Sequence, residues 1–95
     1  MVTSEARVRT DSADRYAKQL CKHADHMGAR SKWNPPDGTV EFPQGGTLHL
    51  TATPEELILR AVADTPGDLA RVQAVIASDL QRFGHRNDLR VTWSS

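Results

Sequence analysis

The sequence predicts an α+β domain with two layers, a mostly antiparallel sheet of five or six strands and two helices on one face. Two long segments, residues 11–27 and 66–83, have apolar residues at helical spacing. Several shorter segments alternate in polarity and end at turn residues, as strands do. Each helix has one apolar stripe and the strands share one clean apolar face, so both helices are expected on the same side of the sheet. The expected order is β-α-β-β-β-β-α-β, in a single domain formed by all 95 residues.

The first strand and the first helix follow each other closely. Residues 2–9 alternate with a period of two, and the helix then has six apolar positions on one face: Ala13, Tyr16, Ala17, Leu20, Ala24 and Met27. Asp11 or Ser12 is expected to cap the first turn through its side chain. Gly28 is expected to end the helix.

Two strands and a tight turn are expected after this helix. Residues 29–33 have little apolar content and are the weakest strand candidate. The run Asn34-Pro35-Pro36-Asp37-Gly38 is typical of a turn, because proline fixes φ and glycine accepts positive φ. Residues 39–42 then return as a strand.

The next two strands differ in how clearly they alternate. Residues 47–52 place Leu48, Leu50 and Ala52 inward, whereas His49 points outward. In residues 57–63, Ile58 and Val62 lie on the face opposite the inward leucines. That second face is half apolar, so we expect something to cover it.

The second helix has clear start and stop residues. Thr65 suits the cap and Pro66 the first helical position, and Gly84 is expected to end the helix. Its apolar stripe has five members: Leu69, Val72, Ile76, Leu80 and Phe83. Residues 89–93 alternate and predict a final strand.

Composition argues against several classes of partner. The chain has 12 Lys+Arg and 12 Asp+Glu, so its formal net charge is zero. Nucleic-acid modules and proteins that bind anionic membranes usually have a basic surplus, so neither partner is expected. Cys21 is the only cysteine and excludes an internal disulfide. No signal peptide or membrane-spanning run is found, so a cytoplasmic location is expected.

Three reactive side chains lie close together near the end of the first helix. At about 100° per residue, Cys21 and His23 are roughly 160° apart and cannot bind one metal. His23 and His26 are about 60° apart and share a rim with Gln19, so they are candidate metal ligands. Zinc and iron sites need three or four ligands, which His49 or His85 would have to complete. The structural alternative makes Cys21 a buried hydrophobe, His23 an edge residue and His26 exposed.

A small ligand is another possible occupant of this rim. Lys22 would attract an anionic or chelated ligand, and Trp33 would provide an aromatic wall. The structural alternative makes Lys22 a solvated charge and lets Trp33 cover the edge of the sheet.

Catalysis is not expected, and no cofactor is evident. The sequence contains no G-x-G-x-x-G, P-loop or H-E-x-x-H pattern. Cys21 and His23 cannot meet on one helix face, so a nucleophile with its base would need a distant histidine. The remaining classes are a ligand-binding module and an interaction domain, the latter a homodimer formed through the open sheet face or an edge strand.

Several stretches resemble one bacterial family, catalogued as domain of unknown function 2218. They are Thr3-Ser4-Glu5-Ala6-Arg7-Val8, Leu20-Cys21-Lys22-His23 with His26, Gly38-Thr39-Val40-Glu41-Phe42 and Val91-Thr92-Trp93. The resemblance covers essentially the whole chain, supports the strand at 29–33, and implies no activity. Relatives of that family occur near or joined to siderophore-interacting flavoproteins. The resemblance therefore implies an accessory role in iron handling, with such a flavoprotein as a partner.

Overall fold

The computed structural model describes residues 1–43, 45–83 and 91–94. Its elements are β1 (Val2–Arg9), α1 (Ala13–His26), β2 (Arg30–Asn34), β3 (Asp37–Glu41), β4 (Thr47–Ala52), β5 (Glu56–Ala63), α2 (Pro66–Phe83) and β6 (Trp93–Ser94). The α+β class and the order of elements are confirmed. Residues 29–33, the weakest strand candidate, form β2 with boundaries one residue later.

The six strands form one antiparallel sheet in the order β2-β3-β4-β5-β1-β6. β1 lies between β5 and β6 and pairs with β5 along its whole length, from Val2 opposite Ala63 to Arg9 opposite Glu56. The three hairpins from β2 to β5 extend the sheet to its other edge. β2 and β6 are therefore the edge strands of the described sheet.

Both helices cover one face of this sheet, as predicted. α1 packs against β2 to β5, and α2 packs against β5 and β1. Ten inward side chains of the four inner strands are at most 4% exposed: Ser4, Ala6, Val8, Val40, Leu48, Leu50, Leu57, Leu59, Ala61 and Ala63. Burying this apolar surface between the helices and the sheet is the main stabilising contribution to the fold.

The two helices begin differently. Ser12 is the N-cap of α1, but its side chain makes no capping hydrogen bond. Instead the Ser12 hydroxyl donates to Asp11 Oδ1, and its N–H donates to Thr10 Oγ1. The predicted side-chain cap of α1 is therefore wrong, because these two side chains pair with each other and not with the helix. At α2 the prediction is confirmed, since Thr65 Oγ1 accepts from the Asp68 N–H at 3.1 Å.

The final strand is shorter than predicted within the described residues. β6 comprises Trp93–Ser94, and the described residues Val91 and Thr92 are not part of it; Leu89, Arg90 and the stop at Gly84 lie outside the described residues. Ser4 Oγ donates to the Ser94 carbonyl at 2.8 Å, and Ser94 Oγ donates to the Glu5 carbonyl at 3.1 Å. These two bonds hold β6 against β1. Among the described residues, neither helix combines the length and the apolar character needed to cross a membrane.

Candidate functional site

A cleft of about 570 Å³ lies between α1 and α2. Leu20, Ala24 and Met27 form the α1 wall, and Val72, Val75 and Ile76 belong to the α2 wall. Phe42 and Pro43, which follow β3, line the cleft as well. The volume lies within the range of roughly 300–1,000 Å³ that is typical of small-molecule pockets.

The cleft is open because the facing apolar stripes do not meet along their whole length. On α1, Leu20 is 1% exposed, Ala24 is 8% exposed and Met27 is 71% exposed. The prediction that Met27 belongs to the buried face is wrong. Ala24 on α1 and Ala74 on α2 both line the cleft, and their methyl groups are too short to fill the space between the helices. Val75, on the α2 wall of the cleft, is 40% exposed.

A polar pair joins the two helices at one part of the cleft. His23 Nε2 lies 3.5 Å from Asp79 Oδ1, and the side chains are 31% and 13% exposed. The His23 ring meets the Phe83 ring edge-on, with centroids 5.7 Å apart. Burial raises the pKa of the Asp79 carboxyl, and the charges of His23 and Arg82 partly oppose this shift. Asp79 is thus an ionisable acceptor in a mainly apolar cleft.

The loop between β3 and β4 closes against α2 through two glycines. Gly45 and Gly46 have φ values of +113° and +101°, in the left-handed region that favours glycine. A Cβ on Gly46 would lie 2.8 Å from Val72 Cγ2, and one on Gly45 would lie 3.0 Å from Asp68 Oδ2. Glycine therefore allows this hairpin to touch the first half of α2. Arg71, also on the cleft, pairs with Asp68.

Only one of the rim residues predicted to bind a ligand lines the cleft. That residue is His23; Gln19, Lys22 and His26 are exposed on α1 and do not line it. His49 points to the opposite face of the sheet, and His85 lies outside the described residues. Within residues 1–43, 45–83 and 91–94, no group of three or more His, Cys, Asp or Glu is placed to hold a metal ion. The described residues therefore do not assemble a complete set of metal ligands around His23 and His26.

Trp33 and Cys21 belong to the packing under α1. A Cβ on Gly38 would lie 2.9 Å from Trp33 Cε3 and 3.4 Å from Cys21 Sγ, so the indole covers the sheet where β3 has no side chain. Cys21 is 3% exposed, and burial, with a smaller contribution from Asp25, raises the pKa of its thiol. Trp33, in the edge strand β2, therefore packs over Gly38 of β3 and does not line the cleft.

The open sheet face has mixed chemistry. Ile58 and Val62 on β5 are half-buried there, and both helices lie on the other side of the sheet. Arg60 lies between them in the strand, opposite His49 and Glu5 on the neighbouring strands. This face is the second surface on which a partner could bind.

Sequence reasoning missed the α2 side of the cleft. Val75, Asp79 and Arg82 are spaced by four and three residues, so they share one flank of the helix beside its apolar stripe. An acidic residue among the apolar positions of that flank was the available signal. What the sequence could not show is that this flank faces His23.

Comparison with known proteins supports the fold. The model of a family described as "Uncharacterized protein conserved in bacteria (DUF2218)" matches residues 5–94. The NMR structure of PA4090 from Pseudomonas aeruginosa is similar with a TM-score of 0.82 and 32% identity, over 99% of this chain and 96% of that one. A de novo designed protein with a ferredoxin fold, LFR1 1, is similar with a TM-score of 0.62 and 17% identity, over 99% and 84% of the two chains. That likeness concerns the fold alone. No curated protein matches this sequence.

Proposed function

This chain belongs to the family described as "Uncharacterized protein conserved in bacteria (DUF2218)", and on that premise we propose that it is a small binding module whose interhelical cleft holds a mainly apolar small molecule. The proposal concerns binding and includes no catalytic step. His23 is kept as a residue that contacts the ligand. The other contacts are assigned to the α2 wall of the cleft and not to Gln19, Lys22, His26 or Trp33.

The observation that carries this proposal is an apolar cleft of ligand size with exposed hydrophobic residues at its mouth. Met27 and Val75 are two of the three large hydrophobic side chains classed as exposed in the described chain, and both line the cleft. A ligand between the helices would remove their apolar surface from water, which favours binding by about 25 cal/mol for each Å² buried. A few polar groups beside apolar walls are the usual means of orienting such a ligand.

The test is equilibrium dialysis with 2-methoxynaphthalene, an uncharged two-ring probe, on variants that differ only in where one indole is added. Ala74→Trp places the indole in the cleft and is expected to abolish saturable binding. Ala70→Trp adds the same side chain to an exposed position of α2 that does not line the cleft. It should bind like the parent. Equal binding by both variants, or no saturable binding by the parent, would refute the proposal.

The second candidate function is an interaction domain that uses the open sheet face, either as a homodimer or with a larger flavoprotein. The half-buried Ile58 and Val62 favour it, because an apolar patch on an uncovered sheet face is typical of interaction surfaces. Ile58→Arg would break such an interface, whereas Ala70→Arg, at an exposed position of α2 on the other side of the sheet, is the matched control. Sedimentation of the chain alone measures the homodimer, and sedimentation with a siderophore-interacting flavoprotein measures the complex of the two proteins. An Ile58→Arg variant that assembles like the parent would exclude this face.

An accessory role in iron handling remains part of the proposal as the resemblance implied it. In this form of the proposal the captured species is a whole ferric chelate, which brings its own metal ligands. Dialysis against a ferric catecholate, with the same Ala74→Trp and Ala70→Trp variants, tests it. Uptake that is equal in the two variants would place any such binding outside the cleft.

A further inference from the structure

Asp79 has more hydrogen-bonding capacity than its protein neighbours use. An ionised carboxylate has about four acceptor positions. Among the described residues the close polar contact of Asp79 is His23 Nε2 at 3.5 Å, a distance at which a hydrogen bond is weak. The side chain is only 13% exposed, so water reaches it poorly. An acceptor that is partly withdrawn from water in this way is stabilised when a donor reaches it.

The surroundings of Asp79 favour an uncharged donor over an ion. Arg82, which also lines the cleft, acts on Asp79 electrostatically and offsets part of the attraction of the carboxylate for a cationic ligand. An anionic ligand would be repelled by Asp79 itself and would have to leave water for apolar walls. Arg71 lies on the same wall and is paired with Asp68. A hydroxyl or N–H group on an apolar body satisfies the carboxylate without adding a charge.

His23 and Phe83 keep Asp79 directed into the cleft. The His23 ring is placed edge-on to Phe83 on α2 while its Nε2 faces Asp79, one turn earlier on the same helix. His23 and Asp79 both line the cleft, and so does Ser78, the residue before Asp79. The acceptor is therefore held at a defined position beside the apolar walls of Leu20, Val75 and Ile76.

We infer that the cleft selects an apolar molecule bearing an uncharged hydrogen-bond donor, and that Asp79 is the residue that accepts this hydrogen bond. This inference rests on the proposed function, because it identifies the chemical class of the ligand that the same cleft would bind. The ligand would lie with its apolar body against Leu20, Val72 and Val75 and its hydroxyl or N–H against Asp79.

The test compares two probes that differ in one proton donor, 2-naphthol and 2-methoxynaphthalene, near neutral pH. The parent is expected to bind 2-naphthol roughly ten- to a hundredfold more tightly, as for a hydrogen bond to a charged group. A third probe, 2-naphthoate, replaces the donor by an anion and is expected to bind more weakly than 2-naphthol. Tighter binding of the naphthoate would assign selection to Arg82 and overturn the inference.

Two variants locate the acceptor. Asp79→Leu replaces the carboxylate by a larger, apolar side chain that cannot accept a hydrogen bond, so the preference for 2-naphthol should disappear while 2-methoxynaphthalene still binds. Ser78→Ala removes the neighbouring hydroxyl and should leave the preference unchanged. Equal binding of the two probes by the parent, or a preference that survives in Asp79→Leu, overturns this inference while the proposed function stands. Failure of both probes to bind the parent overturns both.

Discussion

The two ends of α1 carry the same apolar spacing but have different surroundings. In the first half, Ala13, Tyr16 and Ala17 are at most 1% exposed, and Leu20 is as well buried. In the last turn the same stripe reaches Met27, which is 71% exposed. The first half is packed in the core, whereas the last turn forms a wall of the cleft. Helical periodicity therefore identifies the side of a helix that is apolar, but the opposing element decides how much of that side is buried.

This difference separates structural from functional residues on one helix. Residues of the first half contribute to stability, because removing their side chains leaves cavities in a packed core. Residues of the last turn are free to contact a ligand because little of the fold depends on them. The following predictions test this division, beginning with the largest effect.

Truncation of one residue in each half should give the largest contrast. Leu20→Ala is expected to lower the free energy of unfolding by roughly 2–5 kcal/mol, because Leu20 is 1% exposed and its loss leaves a cavity. Met27→Ala removes a side chain that is already mostly in water, so it should change the free energy of unfolding by no more than about 0.5 kcal/mol. Urea denaturation of the two variants measures both. Similar losses in the two would show that the last turn is packed as tightly as the first half.

The two sulfur-containing residues of α1 should differ in chemical accessibility. Cys21 is 3% exposed and burial raises its thiol pKa, so both access and the thiolate fraction are low. Alkylation of native Cys21 by iodoacetamide is expected to be roughly a hundredfold or more slower than in the urea-unfolded chain. Met27 should be oxidised by hydrogen peroxide at similar rates in both states, as followed by peptide mapping. Fast alkylation of native Cys21 would mean that α1 opens readily over Trp33.

The sequence predicted the sheet and the helix stripes well, for a definite physical reason. Alternation in β1 and β4 and the 3.6-residue period of α2 depend on which side of each element is apolar, and that property is local. The side-chain cap predicted for α1 is wrong because Asp11 and Ser12 each had a second possible partner, namely the other. A cap prediction from residue type alone cannot choose between such alternatives.

The site was less predictable because it joins residues that are far apart in the sequence. His23 and His26 were grouped because they are neighbours on α1, but His23 contacts Asp79, 56 positions later by residue number. No local pattern links these two residues. Ala24 and Ala74, which have short side chains, also line the cleft, and the sequence indicates neither that both lie on one cleft nor that no larger side chain fills it.

Gly28, which follows α1, and Gly46, in the loop between β3 and β4, should respond differently to replacement by alanine. Gly46 has φ of +101°, and a Cβ there would lie 2.8 Å from Val72 Cγ2. Gly28 also has positive φ, +89°, but no atom lies within 4 Å of its Cβ position. Gly28→Ala is expected to cost about 1 kcal/mol from backbone strain alone. Gly46→Ala should cost about 1 kcal/mol more, because the loop or α2 must also shift. Equal losses would show that the loop is not held against α2.

The smallest expected effect concerns the pH dependence that Asp79 contributes. Because burial raises its pKa above the ordinary value of 3.8, the unfolded chain loses this proton at lower pH than the folded one. The folded state then binds more protons in the interval, so stability falls as pH rises from about 3.8 to the raised pKa and is level above it. Asp79→Asn removes this titration. The gain in unfolding free energy from the substitution should therefore grow through that interval and then stay constant.

Urea denaturation of the parent and of Asp79→Asn at several pH values from below 3.8 to neutrality measures this difference. Asp64→Asn, an exposed position outside the cleft, reports the effect of the same substitution elsewhere. The direction of the change is informative because two opposing influences act on Asp79. If the gain shrank as pH rose, the attraction of His23 and Arg82 would outweigh burial, and Asp79 would be a paired charge. In that case the carboxylate would already be satisfied within the protein and would have little capacity left for the donor group of a ligand.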